Sequence, residues 1–295
     1  MTDAAEQEIT AKIDTTKLVR AWEEKAQKAR GIKLVTAVGA RTDLGRIREN
    51  NEDKFEFYVP EDEETLARKG LFYAVADGMG GHSSGQIASE LALKTTINSY
   101  YNDDSPIVEE SLKTAILKAN ALVFDTSRAI VERSGMGTTI TALVLRGDEA
   151  FIAQVGDSRC YLLRNGELKQ LTEDHSWVNE QVKRGGLSRE EAETSPFRNV
   201  ITRSLGTSPT VDVDIFTEQI TPGDMFLLCS DGLTNELSDD EIRNILANEC
   251  ASVAAWKLVD RALENGGHDN ITALVVAVKD IVRPKKKRRL GLPPW

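Results

Sequence analysis

The order of apolar and polar positions divides the chain into three stretches. Residues 4–30 are rich in Ala, Glu, Lys and Gln, with a thin apolar face of Ile9, Ile13, Val19 and Trp22. That pattern predicts a helical N-terminal extension over residues 1–30. Alternation typical of strands begins at Ile32 and covers Ile32–Val38 and Lys54–Val59. Leu71–Ala76 is a continuous apolar run that marks a strand buried on both faces. Helices follow over about Gln86–Tyr100 and Pro106–Arg133. Thr138–Leu145, Glu149–Val155 and Cys160–Arg164 then read as three strands in quick succession, with Asn165-Gly166 as a hairpin turn. Residues 173–205 are polar and mixed, which predicts short helices and loop. Val211–Phe216 and Met225–Cys229 read as strands, Asp239–Asn248 and Ala251–Glu264 as helices, and Ile271–Val278 as a closing strand. Strands come in runs and helices in pairs, which favours antiparallel sheets packed with helices over a doubly wound parallel fold.

Charge sharpens this picture. The 295 residues carry 37 basic and 47 acidic side chains, a net of −10. The excess is uneven: residues 279–295 hold seven basic groups against one acid, so residues 1–278 carry −16. So acidic a body repels a polyphosphate backbone, which argues against nucleic acid as a partner. Cys160, Cys229 and Cys250 are odd in number and widely spaced, which speaks against a disulfide scaffold or a zinc ribbon. The polar, acidic start is unlike a signal peptide, and no apolar stretch reaches membrane-spanning length, so a cytoplasmic monomer is the expectation.

The acids also recur in one setting, at strand ends beside Gly or Asn. Asn51-Glu52-Asp53 precedes a strand, Asp77-Gly78 and Ser230-Asp231-Gly232 follow strands, and Gly267-His268-Asp269-Asn270 precedes one. Gly156-Asp157-Ser158 occupies a tight turn between two strands. Strand ends are rigid mounting points, and adjacent Gly lets carbonyls and ligands approach. Oxygen donors without convergent Cys or His suit Mg²⁺ or Mn²⁺ rather than Zn²⁺. Two such ions activate a water and clamp the oxygens of an in-line displacement, and Asp77 is placed to bridge them. The residues alone lead as far as a metal-dependent enzyme, for which phosphate is one fitting substrate class. Other phosphate chemistries are missing: none of the three Cys is followed six positions later by Arg, and neither a Walker A loop nor a kinase-type Val-Ala-x-Lys is present.

Seven ordered motifs then resemble those of the metal-dependent protein phosphatases of type 2C, with Met79 pointing to the bacterial branch. They are Arg48-Glu49-Asn50-Asn51-Glu52-Asp53, Val75-Ala76-Asp77-Gly78-Met79-Gly80-Gly81-His82, Gly137-Thr138-Thr139, Val155-Gly156-Asp157-Ser158-Arg159, Leu171-Thr172-Glu173-Asp174-His175-Ser176, Ser230-Asp231-Gly232-Leu233 and Gly267-His268-Asp269-Asn270-Ile271-Thr272. The resemblance implies an α+β fold, a four-layer α-β-β-α sandwich of two antiparallel sheets flanked by helix pairs. It places the phosphatase domain at 31–281, between the extension and a basic tail at 282–295.

It implies roles as well. Asp77 bridges two Mn²⁺ or Mg²⁺ ions, and the Gly78 carbonyl binds one of them. Asp231 and Asp269 complete the other ion, and Asp157 with Asp231 contributes to a third. Asp53 and Glu52 hold metal-bound water, with Asn270 and Gly232 in support. Arg48 grips the phosphate of a phosphoserine or phosphothreonine. Eukaryotic relatives carry His, the proposed general acid, where this chain has Met79. A thioether donates no proton, so His82 is the candidate in its place. His175 and Ser176 open the polar segment, a flap over the site that influences substrate choice. The implied partners are phosphorylated proteins and a cognate Ser/Thr kinase. The rival reading is a pseudophosphatase that binds phosphoproteins without hydrolysis, yet Asp77, Asp231 and Asp269 are all present. The basic tail, outside the resemblance, suits contact with an anionic surface.

Overall fold

The computed structural model describes residues 20, 31–80 and 84–283. The helical extension expected over 1–30, the tail from 284 and His82 therefore lie outside the described residues.

One sheet joins β1 (Lys33–Asp43), β12 (Ile271–Val282), β11 (Met225–Cys229), β8 (Arg159–Arg164) and β9 (Glu167–Gln170), in that order. The other joins β10 (Asp214–Gln219), β7 (Glu149–Val155), β6 (Ile140–Arg146), β3 (Leu71–Ala76) and β2 (Lys54–Tyr58). All pairings are antiparallel. A third, two-stranded ribbon pairs β4 (Gly78–Met79) with β5 (Gly137–Thr138). The helices are α1 (Glu63–Lys69), α2 (Ser84–Tyr101), α3 (Val108–Ala129), α4 (Trp177–Lys183), α5 (Arg189–Glu193), α6 (Asp231–Thr234), α7 (Asp239–Asn248) and α8 (Ala251–Asn265).

The period-two geometry of a strand explains why β3 is apolar throughout. Phe72, Ala74 and Ala76 face the α2–α3 pair, while Leu71, Tyr73 and Val75 face the opposite sheet. In β12, Ile271, Ala273, Val275 and Ala277 face α7 and α8, whereas Leu274, Val276 and Val278 turn inward. Three apolar layers thus separate four structural ones, and the fold is the α-β-β-α sandwich.

Several elements differ from the expectation: β1 runs on to Asp43 and β12 to Val282, past the expected Val38 and Val278, and β9 was not expected as a strand. The strand read at Val211–Phe216 runs Asp214–Gln219, because its partner β7 ends at Val155 and Asp214 pairs with Gln154. Val213 lies opposite Val155, the last residue of β7, and residues before it have no ladder left to join. Helix α1 was not anticipated. Asp62 caps it through the Thr65 N–H, and Gly70 ends it at φ 77°. The Asn165-Gly166 turn is as expected, with φ of 53° and 83°.

The register gathers the acidic motifs at one end of the sandwich. Lys54 pairs with Ala76, Val155 with Ile140, Arg159 with Cys229, and Asp43 with Ile271. Residues 51–53, 77, 156–158, 230–231 and 269–270 therefore all emerge at the same edge.

Candidate active site

Asp53, Asp77, Asp157, Asp231 and Asp269 meet at that end, on four connections from both sheets and one turn. Asp53 and Asp157 are buried, and Asp77, Asp231 and Asp269 are half-buried. Neutral donors hold Asp53 and Asp231. Ser230 Oγ donates to Asp53 Oδ2 at 2.6 Å, and Ser230 Oγ itself accepts the Thr272 N–H at 3.0 Å. Asn235 Nδ2 donates to Asp231 Oδ2 at 3.1 Å. Asp77 is fixed through its backbone: its N–H donates to Thr139 Oγ1 at 2.9 Å, and its carbonyl accepts from the Thr139 N–H and Thr138 Oγ at 2.9 and 2.8 Å.

Burial and mutual repulsion shift these groups. Burial raises Asp53 to about 7, opposed by bonds from Ser230 and Thr272 and reinforced by the charges of Asp231 and Asp269. Burial, then the charges of Asp53, Asp231 and Asp157, raises Asp77 well above the usual carboxylate range. Asp157 is likewise raised well above it, by burial and then by Asp231 and Asp174. Asp231 is raised by burial and Asp269. Asp77 and Asp231 also lie within hydrogen-bonding reach of each other.

Glu52 sits against the start of α2. Burial raises its pKa, while the Gly85 N–H favours its charged form. A Cβ on Gly85 would lie 2.6 Å from Glu52 Cδ, so only glycine leaves room for that carboxylate. Gly78 donates its N–H to the Glu52 carbonyl at 3.2 Å, and a Cβ there would strike the Gly85 carbonyl at 2.1 Å. Asn270 stitches the first motif down: Oδ1 accepts the Glu52 N–H at 2.8 Å, and Nδ2 donates to the carbonyls of Leu44 and Asn50. Gly232 packs so tightly on Asn270 that a Cβ would come within 2.0 Å of the Asn270 carbonyl.

Two candidates make contacts that the motifs did not announce. Arg48 is exposed and donates to Asp269 Oδ2 at 2.6 Å, so it rests on an expected metal ligand. His175 is buried, with Nδ1 accepting the Gly156 N–H at 3.0 Å and Nε2 3.0 Å from Asp214 Oδ2. Ser176 caps α4 through the Asn179 N–H. The base of the polar segment is thus tied to the β7–β8 turn. His268 bonds Glu236 Oε1 through Nδ1 at 2.7 Å and lies outside the acidic group.

The donors suit a hard cation. Glu52 Oε1, Asp53 Oδ1 and Asp157 Oδ1 are buried without a hydrogen-bond partner, and a bare carboxylate oxygen is costly to bury unless a cation or proton meets it. Among the described residues, no group of three or more His, Cys, Asp or Glu side chains is arranged so that it could hold a metal ion by itself. The fit therefore rests on gathered, partly unpartnered carboxylates, with carbonyls and water needed to complete any coordination shell.

The family model for protein phosphatase 2C matches residues 48–270. The chain belongs to the protein phosphatase 2C family. It is 39% identical over 241 residues to the serine/threonine phosphatase stp of Listeria monocytogenes, covering 80% of this chain and 93% of that protein. Its fold matches the catalytic domain of PstP in complex with two manganese ions at a TM-score of 0.73 and 34% identity, over 84% of this chain and all of that one. The Streptococcus agalactiae serine/threonine phosphatase matches at a TM-score of 0.76 and 35% identity, over 83% of this chain and all of that one. Family membership makes this a metal-dependent phosphatase scaffold. Among the described residues, no helix is long and apolar enough to cross a membrane.

Several residues that build the site escaped the sequence reading as individuals. Thr138, Thr139, Ser230 and Thr272 lay inside the quoted motifs, but their hydroxyls carried no signal beyond their place beside an acid. Gly85 offered only its position just after the Gly80-Gly81 pair. Asp214 and Arg203 were invisible, because they reach the site through His175 from distant positions in the chain.

Proposed function

We propose that this chain is a divalent-cation-dependent protein serine/threonine phosphatase that opposes a bacterial Ser/Thr kinase. The observation that carries this reading is the convergence of Asp53, Asp77, Asp157 and Asp231 with bare oxygens on Asp53 and Asp157. The names of the relatives agree with it. Asp77, the Gly78 carbonyl, Asp231 and Asp269 would hold two Mn²⁺ or Mg²⁺ ions, with Glu52 and Asp53 orienting water and Asp157 facing a third. Ions bound there supply the positive charge that lets a phosphate dianion enter an acidic cleft, and a water of lowered pKa as nucleophile.

The chain's own groups do the rest. Arg48, exposed at the rim, exchanges Asp269 for two phosphate oxygens, which its planar fork matches. Asn270 and the Ser230–Thr272 pair keep Glu52 and Asp53 aimed while the substrate binds. His82 is the proposed donor of a proton to the leaving serine or threonine oxygen. Phosphorylated proteins are the substrates, residues 31–281 the working domain, and the basic tail a contact for an anionic surface.

The test is phosphate release from a phosphothreonine peptide with added Mn²⁺. Activity is expected to vanish with EDTA and in Asp77→Ala and Asp231→Ala. Activity that survives either treatment overturns the reading.

A further inference from the structure

The turn that carries Asp157 is gripped from the base of the polar segment. Gly156, at φ 109°, is wedged against Thr139, where a Cβ would lie 2.5 Å from Thr139 Cγ2. His175 takes hold of both polar groups of Gly156: its ring Nδ1 accepts the Gly156 N–H at 3.0 Å, and its own N–H donates to the Gly156 carbonyl at 2.9 Å. An N–H can only donate, so Nδ1 must be bare, and the neutral ring carries its hydrogen on Nε2. Nε2 then donates to Asp214 Oδ2 at 3.0 Å, and Arg203 holds the other oxygen, Oδ1, at 2.7 Å. Arg203 Nη1 also stands 3.0 Å from Nε2. It could be accepted there only by the opposite tautomer, which would set two hydrogens face to face between Nδ1 and Gly156.

His175 also closes a stem. Thr202 donates its N–H to the His175 carbonyl at 2.8 Å, Trp177 donates to the Val200 carbonyl at 2.8 Å, and Ser176 bridges Ile201. One residue earlier, Asp174 clamps Arg159, at the far side of the same turn, through bonds of 2.7–3.0 Å. The excursion from 176 to 201 therefore leaves and returns at one point, and that point is bonded to the residue before Asp157.

We propose that His175 is a positioning residue: fixed in its Nε2–H form by the Gly156 N–H and by Asp214, it holds the Asp157 turn and couples it to the base of the 176–201 excursion. A substrate or partner that shifts the excursion would thereby move the Asp157 carboxylate. The proposal rests on the reading that Asp157 faces a cation. That reading is tested separately by Asp157→Asn, which should remove the weakest class of Mn²⁺ sites from the calorimetric isotherm.

Two measurements test His175 itself. Nitrogen-15 NMR of the ring, without added metal, should show Nδ1 bare and Nε2 protonated, and Asp214→Asn should weaken that preference and move the Gly156 and Asp157 amide signals. In Mn²⁺ calorimetry, His175→Leu should weaken the weakest class of sites about tenfold, the scale on which residues behind metal ligands act. His175→Asn, whose Oδ1 can still accept the Gly156 N–H, should stay close to the unaltered chain. If His175→Leu does not fold, Asp214→Asn carries the test. A hydrogen on Nδ1 in the unaltered chain, or variants that leave the Asp157 amide signal and the Mn²⁺ isotherm unchanged, overturns the proposal.

Discussion

Replacing Gly85 by Ala sets two effects of known size against each other. Within a helix, Ala is favoured over Gly by about 1 kcal/mol, so on propensity alone the change should stabilise α2. The added Cβ, however, would lie 2.6–2.7 Å from three atoms of the Glu52 carboxylate. That is about 1 Å inside ordinary contact. The carboxylate must withdraw, and it loses the Gly85 N–H that favours its charge. For a half-exposed carboxylate, solvent screening reduces what that N–H is worth to about 1 kcal/mol, so its loss roughly offsets the propensity gain. The larger effect should fall on cation binding, because Glu52 would no longer point where it does. Residues that orient metal-bound groups typically cost 10–100-fold in affinity when lost, or about 1.4–2.8 kcal/mol. We expect Gly85→Ala to weaken Mn²⁺ binding by at least tenfold in titration calorimetry, with little change in urea midpoint. A variant that gains stability and binds Mn²⁺ as before would refute both the crowding and the role of Glu52.

Other changes should separate the supports of the site. Ser230→Ala removes the donor to Asp53 Oδ2 and the acceptor for the Thr272 N–H, so a loss of about 1–3 kcal/mol is expected in urea unfolding, together with weaker Mn²⁺ binding. Thr139→Val deletes the hydroxyl that accepts the Asp77 N–H and meets Ser158 Oγ at 2.8 Å, and should cost a similar amount. Lys69 is buried on Ser105 O and Ser111 Oγ, and burial lowers its pKa to about 8 from the ordinary 10.5. The folded chain sheds this proton before the unfolded chain does. The penalty for burying the charge is therefore full below pH 8 and relieved as pH rises toward 10.5. Relative to Lys69→Met, the unaltered chain should gain on the order of 1 kcal/mol between pH 8 and 10, after allowance for screening. A flat difference in urea midpoint across that range would count against it.

Apolar periodicity revealed several elements to the residue. Leu71–Ala76, Glu149–Val155, Met225–Cys229 and Asp239–Asn248 have the limits that the pattern suggested, because each is buried on faces its sequence declares. Where placement depends on a partner strand, the pattern misleads. The run Val211–Phe216 is apolar enough for a strand, but its start is decided by the end of β7. Helix α1 shows the opposite failure: its seven residues bury little, and only Asp62 and Gly70 mark its ends. The acidic motifs were legible, since each is local. Their gathering at one end was not, because it depends on register between strands far apart in the chain. The hydrogen bond from Arg48 to Asp269 spans 221 positions, and the one from Ser230 to Asp53 spans 177.

How the acids are held indicates what they are for. If they served stability, lysine or arginine would be expected against each, since an unpaired buried charge is costly. Instead, hydroxyls hold Asp53, a side-chain amide holds Asp231, and a helix start faces Glu52. Arg159, two residues from Asp157, is committed to Asp174. Among the described residues, the ion pair recorded on these acids is Arg48–Asp269, at an exposed rim where the arginine can leave. Neutral donors aim a carboxylate without cancelling its charge, so ionising the cluster is disfavoured, first by burial and then by mutual repulsion, as the raised pKa values of Asp53, Asp77, Asp157 and Asp231 record. That repulsion disfavours the folded state unless something positive binds. Divalent cations should therefore raise the unfolding temperature of the unaltered chain, and do so far less in Asp77→Asn/Asp231→Asn, whose side chains keep the shape and lose the charge. Equal shifts in both would show that the acids serve some end other than holding cations.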